Sequence, residues 1–280
     1  MVCTMLNTNF SVSICVYGKD NPIWFKNAVN SILEQTQCPN EVVLVVDGPV
    51  TEELNLIISD FEKNEIFRII RFKENQGHGN ARRAGLNACT NELVAIMDAD
   101  DISEPTRFEK QLNIFSQFPE TTIVGSNIAE FVDTPRNIVG LRTVETSDAG
   151  IKKDMKKRCP MNLVTVMFKK SSIEAAGGFI DWFCEEDYYL WIRMAQLNMK
   201  FANIPEVLVN VRVGNEMYRR RGGWKYFKSE AKLQNYMLRN KIIGILQYTL
   251  NTTKRFVVQV LMPNAVRGWV FKKFARTKAQ

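Results

Sequence analysis

Leu93-Val94-Ala95-Ile96-Met97-Asp98-Ala99-Asp100-Asp101 runs five apolar residues into three closely spaced carboxylates. A short apolar run between polar Asn91-Glu92 and a cluster of acids reads as a buried strand. Its acids must then lie beyond the sheet, where water or a cation compensates them. Ligands of open α/β sheets bind at the carboxyl ends of the strands. Asp98 and Asp100 are two residues apart and project to the same side of an extended chain. A hard divalent ion, Mg2+ or Mn2+, itself bound to a diphosphate, suits such a pair. A solvated acidic turn is the competing reading, and the rest of the chain decides between them.

Upstream, Ser11 to Tyr17, Glu41 to Val46 and Ile66 to Phe72 read as three further strands. Between them, Asn21-Pro22 opens a helix with Pro in its first turn, where a missing N–H costs nothing. Ile23, Ala28, Val29, Ile32 and Leu33 mark its buried face. Thr51-Glu52-Glu53 opens a second helix with a capping hydroxyl and acids at the positive end of the dipole. Asn80 to Ala88 makes a third. Strands alternating with helices predict a parallel sheet with right-handed crossovers. No GxGxxG follows the first strand and no GxxxxGK[ST] occurs, so dinucleotide enzymes and P-loop NTPases are disfavoured. Gly77-His78-Gly79 reads as a loop.

Downstream, a helix is expected from Glu104-Pro105 to about Phe118 and a strand from Ile123 to Phe131. Residues 133–148 read as irregular, Lys152 to Arg158 as a basic segment and Leu163 to Phe168 as a strand. Gly177-Gly178-Phe179 makes a turn before a helix that begins at Cys184-Glu185-Glu186-Asp187. Three adjacent acids exceed what a helix dipole needs. They repel one another, so at least one should have a raised pKa, as a general base requires.

At 280 residues the chain has material for a substantial core, and its 24% charged and 45% hydrophobic residues are ordinary for a globular protein. Neither a secretory leader nor an apolar run of the ~20 residues that span a bilayer is apparent. Cys3, Cys15, Cys38, Cys89, Cys159 and Cys184 are scattered without a CxxC pair, and a reduced, cytosolic protein is expected. The net charge of +7 is uneven: residues 215–280 hold fifteen Lys or Arg against Glu216 and Glu230. That points to an anionic, extended partner.

Taken in order, the strand ending at Tyr17, Asp47, Asn75-x-Gly77-x-x-x-Ala81-Arg82, Asp98-Ala99-Asp100-Asp101, Gly177-Gly178-Phe179 and Glu186-Asp187-x-x-Leu190-Trp191-x-Arg193 form a pattern. From about Asn9 to Val213 it resembles the family 2 inverting glycosyltransferases. The resemblance implies an α/β GT-A fold, a Rossmann-like, mostly parallel sheet flanked by helices. It implies a transferase domain over 1–213, with a nucleotide-binding half at about 9–102 and an acceptor half at about 103–213. A basic helical extension over 214–280 follows. Cys15, Tyr17 and Asp47 match positions that hold base and ribose; an Asp-Gly turn former is the rival reading of Asp47, which the strand before it disfavours. Arg82 matches a basic residue near the donor nucleotide, while Arg83 reads as exposed. Asp98 and Asp100 match the acids that bind the nucleotide and the metal, Mn2+ or Mg2+. Ala99 lies within that donor-binding motif, and Asp101 helps the loop or the donor sugar. Asp187 matches the catalytic base and Glu186 a sugar-hydroxyl contact, with the reverse assignment open. Trp191 reads as core.

The implied reaction moves a hexose from UDP-glucose or UDP-galactose to a GlcNAc-type acceptor on undecaprenyl diphosphate, inverting an α-linked donor to a β-glycoside. The setting would be bacterial O-antigen or exopolysaccharide synthesis on the cytoplasmic face of the plasma membrane. Arg219, Arg220 and Arg221 could hold the acceptor diphosphate, as arginine forks suit phosphate oxygens. Val266 to Arg276 mixes aromatics with cations, as an interfacial helix on an anionic membrane does; a solvated basic surface is the plainer alternative. Nucleic acid is disfavoured, because no binding motif accompanies the charge. A sugar nucleotidyltransferase would need a glycine-rich, basic N-terminal phosphate motif that Ser13 to Asn21 lacks. A non-catalytic binding module would have little use for both acidic pairs.

Overall fold

A computed structural model describes residues 8–214 and 222–263. The N-terminal half runs β1 (Phe10–Tyr17), α1 (Pro22–Leu33), β2 (Glu41–Asp47), α2 (Glu52–Phe61), β3 (Phe67–Arg71), α3 (His78–Ala88) and β4 (Leu93–Asp98). Its four strands are parallel in the order β3-β2-β1-β4. The chain moves outward from β1 through β2 and β3, then returns to β1's other side. The topological switch point therefore lies between β1 and β4, where a ligand crevice is expected. Local chemistry starts the helices where anticipated. The Asn21 side chain accepts N–H bonds from Ile23 and Trp24, and Thr51 accepts one from Leu54.

The second half contains β5 (Ile102–Ser103), α4 (Arg107–Gln117), β6 (Thr121–Phe131), β7 (Ile138–Arg142), α5 (Asp148–Asp154), a 3₁₀ turn (Leu163–Thr165) and β8 (Met167–Lys169). Then come α6 (Lys170–Ala175), α7 (Glu186–Gln196), β9 (Lys200–Arg212), α8 (Trp224–Arg239) and α9 (Ile245–Phe256), which runs on into a π turn (Val257–Leu261). β8 joins β4 antiparallel and extends one continuous sheet, β3-β2-β1-β4-β8-β6-β9-β5, with β7 hairpinned onto β6.

Each face of the sheet carries a core. On one, Val12, Ile14 and Leu44 pack with Phe25, Val29, Leu54 and Phe108 of α1, α2 and α4. On the other, Val43, Val94 and Ile96 meet Leu190 and Trp191 of α7, and α8 adds Leu233 and Met237. The basic extension thus shares a core with the sheet.

Several local expectations are corrected. Ile23 is exposed, and Phe25 takes the buried place on α1. Residues 133–148 contain β7. The expected strand at 163–168 is a 3₁₀ turn followed by the short β8. The helix expected from Glu104 begins at Arg107, after β5 has paired with β9. β9 itself has no clean apolar alternation. Its buried Asn203 donates to Glu145 O and its Asn210 to Glu104 Oε1, so distant acceptors draw polar residues of β9 inside.

Candidate active site

The strand register delivers the first residues. Tyr17 lies opposite Asp47 across β1 and β2, and Cys15 lies opposite Asp98 across β1 and β4. All four are at carboxyl ends beside the switch point. A pocket there is lined by Cys15, Tyr17, Asp47, Asn75, Gly77 and His78. Burial pushes the Cys15 thiol up to about 12, so it is a neutral wall and not a nucleophile. Asp47 is buried, and both its oxygens are engaged. It accepts from Gln76 N at 2.7 Å, Gly77 N at 3.1 Å and Asn75 Nδ2 at 3.0 Å. Its carboxylate shapes the pocket by fixing the loop that leads into α3.

α3 begins at His78, which corrects the reading of His78 as a loop residue. The side chain lines the pocket, and its pKa is held below the usual value by Arg82 and then by burial. The imidazole is therefore neutral at pH 7. Gly77, at φ +86, turns the chain into the helix. Gly79 permits a close approach: a Cβ there would stand 2.9 Å from Ile180 O and 3.1 Å from Asp181 Cα. Gly79 thus seats α3 against the loop that precedes α7.

That contact brings the two acidic motifs together. Arg82 is 5% exposed, and its Nη2 pairs with Asp98 Oδ1 at 3.0 Å while Nη1 pairs with Glu186 Oε1 at 2.8 Å. Burial alone would lower the pKa of Arg82, but Asp98 and Glu186 hold it above its ordinary value. The guanidinium spans the cleft between the rim of β4 and the start of α7. Arg83 is exposed, as anticipated.

The acids after β4 do not act as one cluster. Asp98 and Asp100 stay partly open to solvent. The Ala99 methyl is packed in the core, which leaves only its backbone for a ligand. Asp101 turns inward and accepts from Arg212 N at 2.8 Å, while Arg212 stacks on Trp24 and Phe131. Burial, then the charges of Asp100 and Asp98, push the Asp101 carboxyl well up. Asp101 thereby pins the end of β9. Asp20 joins Asp98 and Asp100 from the loop after β1. It accepts from Tyr17 N at 2.9 Å, and burial together with the charges of Asp100 and Asp98 raises it to about 7. Sequence reasoning missed Asp20, although a loop after a central parallel strand at a switch point was the signal available.

The three acids at α7 point three ways. Glu185 is buried with a strongly raised pKa, from burial first and then Glu230 and Asp187. Glu186 faces Arg82. Asp187 faces Cys159, whose Sγ lies 3.6 Å from Asp187 Oδ2. Burial raises Asp187 above the usual carboxylate range, against the opposing effects of the Tyr188 N–H, Arg82 and Arg142. The expected raised pKa is thus present in all three acids. Trp191 is wholly buried in the core. Arg219, Arg220, Arg221 and the segment 266–276 lie outside the described residues.

Two family models match the chain. "Glycosyl transferase family 2" covers residues 11–173, and "Glycosyl transferase family group 2" covers residues 93–266. The chain is 35% identical over 264 residues to the amylovoran biosynthesis glycosyltransferase AmsE of Erwinia amylovora, covering 94% of this chain and 98% of that one. It is 35% identical over 267 residues to the UDP-Gal:alpha-D-GlcNAc-diphosphoundecaprenol beta-1,3-galactosyltransferase of Escherichia coli, with 95% and 96% covered. Among solved structures it resembles the mannosyltransferase PcManGT of Pyrobaculum calidifontis in complex with GDP-Man and Mn2+ (TM-score 0.63, 17% identity, 92% and 71% covered). It also resembles S. aureus TarS 1-349 in complex with UDP-GlcNAc (TM-score 0.65, 16% identity, 94% and 75% covered). The fold is that of the GT-A glycosyltransferases.

Proposed function

The chain belongs to glycosyltransferase family 2, and on that premise we propose that it transfers a hexose from UDP-galactose or UDP-glucose to a GlcNAc-type sugar on a lipid diphosphate, with inversion, in bacterial surface-polysaccharide synthesis. The observation that carries this reading is Arg82, whose one guanidinium joins Asp98 on the strand rim to Glu186 at the head of α7. A donor sugar lying between those acids would have a diphosphate at one end and an acceptor hydroxyl at the other. The relative from Escherichia coli, named for a galactosyl donor and a diphosphoundecaprenol-linked acceptor, supports the substrate class.

In this reading Cys15, Tyr17 and His78 wall the nucleotide pocket, and Asp47 acts through the loop that it holds. Asp98 and Asp100 offer hard oxygen donors suited to Mn2+ or Mg2+. Asp20 fits this assignment: burial first, and then the charges of Asp100 and Asp98, raise its carboxyl to about 7, and a cation would relieve the second of these. Among the described residues no group of three or more His, Cys, Asp or Glu forms a cage, so the diphosphate would complete the coordination. A bound ion would neutralise charge growing on the leaving nucleoside diphosphate. Asp187 takes the proton from the acceptor hydroxyl as its oxygen attacks the anomeric carbon from the face opposite the leaving group. Glu186 orients an acceptor or donor hydroxyl, and Arg82 holds it in place and opposes the burial that raises its pKa. The basic extension, 214–280, would hold the enzyme against the inner face of the membrane.

The test is UDP release from UDP-galactose and UDP-glucose, with and without GlcNAc-diphosphate-lipid. Acceptor-dependent release with one of the two supports the proposal. Release with neither, across acceptors, removes the substrate assignment.

A further inference from the structure

A helix on a body surrounded by water buries its apolar stripe and presents its polar face to solvent. α9 and its π turn do the reverse. Apart from Tyr248, which packs against the core, their inward positions are Asn251, Arg255 and Gln259. Asn251 Nδ2 donates to Lys156 O at 2.9 Å and to Gln234 Oε1 at 2.8 Å. Arg255 pairs with Glu230 at 3.0 Å and donates to Lys157 O at 3.0 Å, and Gln259 also donates to Glu230. The large outward side chains are aliphatic, with Thr249, Thr253 and Lys254 exposed among them. Leu246 is 73% exposed, Leu250 58% and Leu261 62%, with Val257 between them. Leu246, Leu250 and Val257 fall within about 40° of helical arc, so they form one stripe.

We propose that this stripe is a membrane-docking face, which enters the interfacial layer of a bilayer rich in anionic phospholipid. The polar lock beneath it fixes α9 to the body, so the stripe cannot roll inward to be buried. Charge selects the occupant. Over residues 222–263 seven Lys or Arg stand against Glu230 alone, and Glu230 is taken up by Arg255 and Gln259. Exposed Lys254 borders the stripe, and exposed Lys225 and Lys228 lie on α8, whose Trp224 and Phe227 pack on Phe256 of α9. An apolar strip bordered by cations matches an anionic interface.

The face is also coupled to the catalytic loop. Ser229 of α8 accepts from Trp182 Nε1 at 3.1 Å and donates to Phe183 O at 2.6 Å. Lys225 lies 4.2 Å from the Phe183 ring. The loop that leads into Glu186 and Asp187 is thus braced on the docking helices, which would present the acceptor side at the lipid surface. This purpose rests on the lipid-linked acceptor proposed above, whereas the docking itself does not.

The test is co-sedimentation of the full chain, without donor or acceptor, with vesicles of phosphatidylethanolamine plus phosphatidylglycerol and with vesicles of phosphatidylcholine. L246Q/L250Q replaces two exposed leucines by uncharged helix formers and should leave the melting temperature unchanged. The wild type is expected on the anionic vesicles, and the variant should bind them about tenfold or more weakly. Equal binding by both would overturn the proposal. So would a wild-type dimer that the variant dissolves while neither binds vesicles, since the occupant would then be a second copy. Stripe-dependent binding without transfer to any lipid-linked sugar would retire the acceptor assignment and keep the docking face. Transfer with stripe-independent binding would do the opposite.

Discussion

Replacing Arg82 by Met keeps the volume and removes the charge that Asp98 and Glu186 share. Glu186 has 13% of its side chain exposed and loses its 2.8 Å partner, while Asp98, 34% exposed, retains solvent on one side. Breaking a buried ion pair from one side costs about 3–5 kcal/mol. Solvent at Asp98 screens its share, so the lower end of that range, about 3 kcal/mol, is expected at pH 7.5. For a chain of this size that is a fall in Tm of roughly 6–12 °C. Glu186 takes up a proton more readily without its cation, so the deficit should shrink towards pH 5. R82M/E186Q should recover about 1–3 kcal/mol relative to the sum of the single variants. Urea unfolding at pH 5 and 7.5, with the four proteins of the cycle, measures each quantity. An R82M protein as stable as wild type at pH 7.5, or strictly additive single variants, would refute a guanidinium shared across the cleft.

Glu185→Gln removes a buried carboxyl whose pKa burial and Glu230 raise well above the usual value. The folded state then holds a proton that the unfolded state has released, so stability falls as pH rises above the ordinary carboxylate range. The variant should therefore be more stable than wild type at pH 8 and nearly equal at pH 4, by thermal melts across that range. Cys159→Ala removes a thiol contact that lowers the pKa of Asp187. The acid limb of the kcat profile should move to higher pH, with the donor KM little changed. Gly79→Ala would push its Cβ against Ile180 O and separate α3 from the loop before α7. Transfer should drop about tenfold or more, since small displacements of reacting groups are costly, while Kd for UDP should hold; calorimetry and initial rates separate the two.

The sheet's first half was legible because its strands are short apolar runs and its first two helices start at their own caps, Asn21 and Thr51. The acidic motifs were legible because carboxylates beyond an apolar run have few structural uses. What stayed hidden depends on tertiary partners. Arg107 would pass for a surface cation, yet it is fully buried and donates to Ile96 O at 2.7 Å and Ser103 Oγ at 3.0 Å beneath the acidic rim. β9 escaped notice because its asparagines donate to residues distant in the chain. The pairing of Arg82 with Glu186 needed the approach of α3 to the loop before α7, which no local pattern encodes. The inverted polarity of α9 needed the knowledge of which side meets the body.

The most direct test is transfer by Asp187→Asn beside wild type, with the donor found active in the UDP-release assay and GlcNAc-diphosphate-lipid as acceptor. The product linkage is read by NMR and UDP affinity by calorimetry. The expected result is a β-glycoside from wild type, a loss of about 10²–10⁴-fold in kcat for the variant, and unchanged UDP affinity. An α-linked product, or a variant that transfers at the wild-type rate, would contradict a base at Asp187 facing a donor held at Asp98 and Asp100.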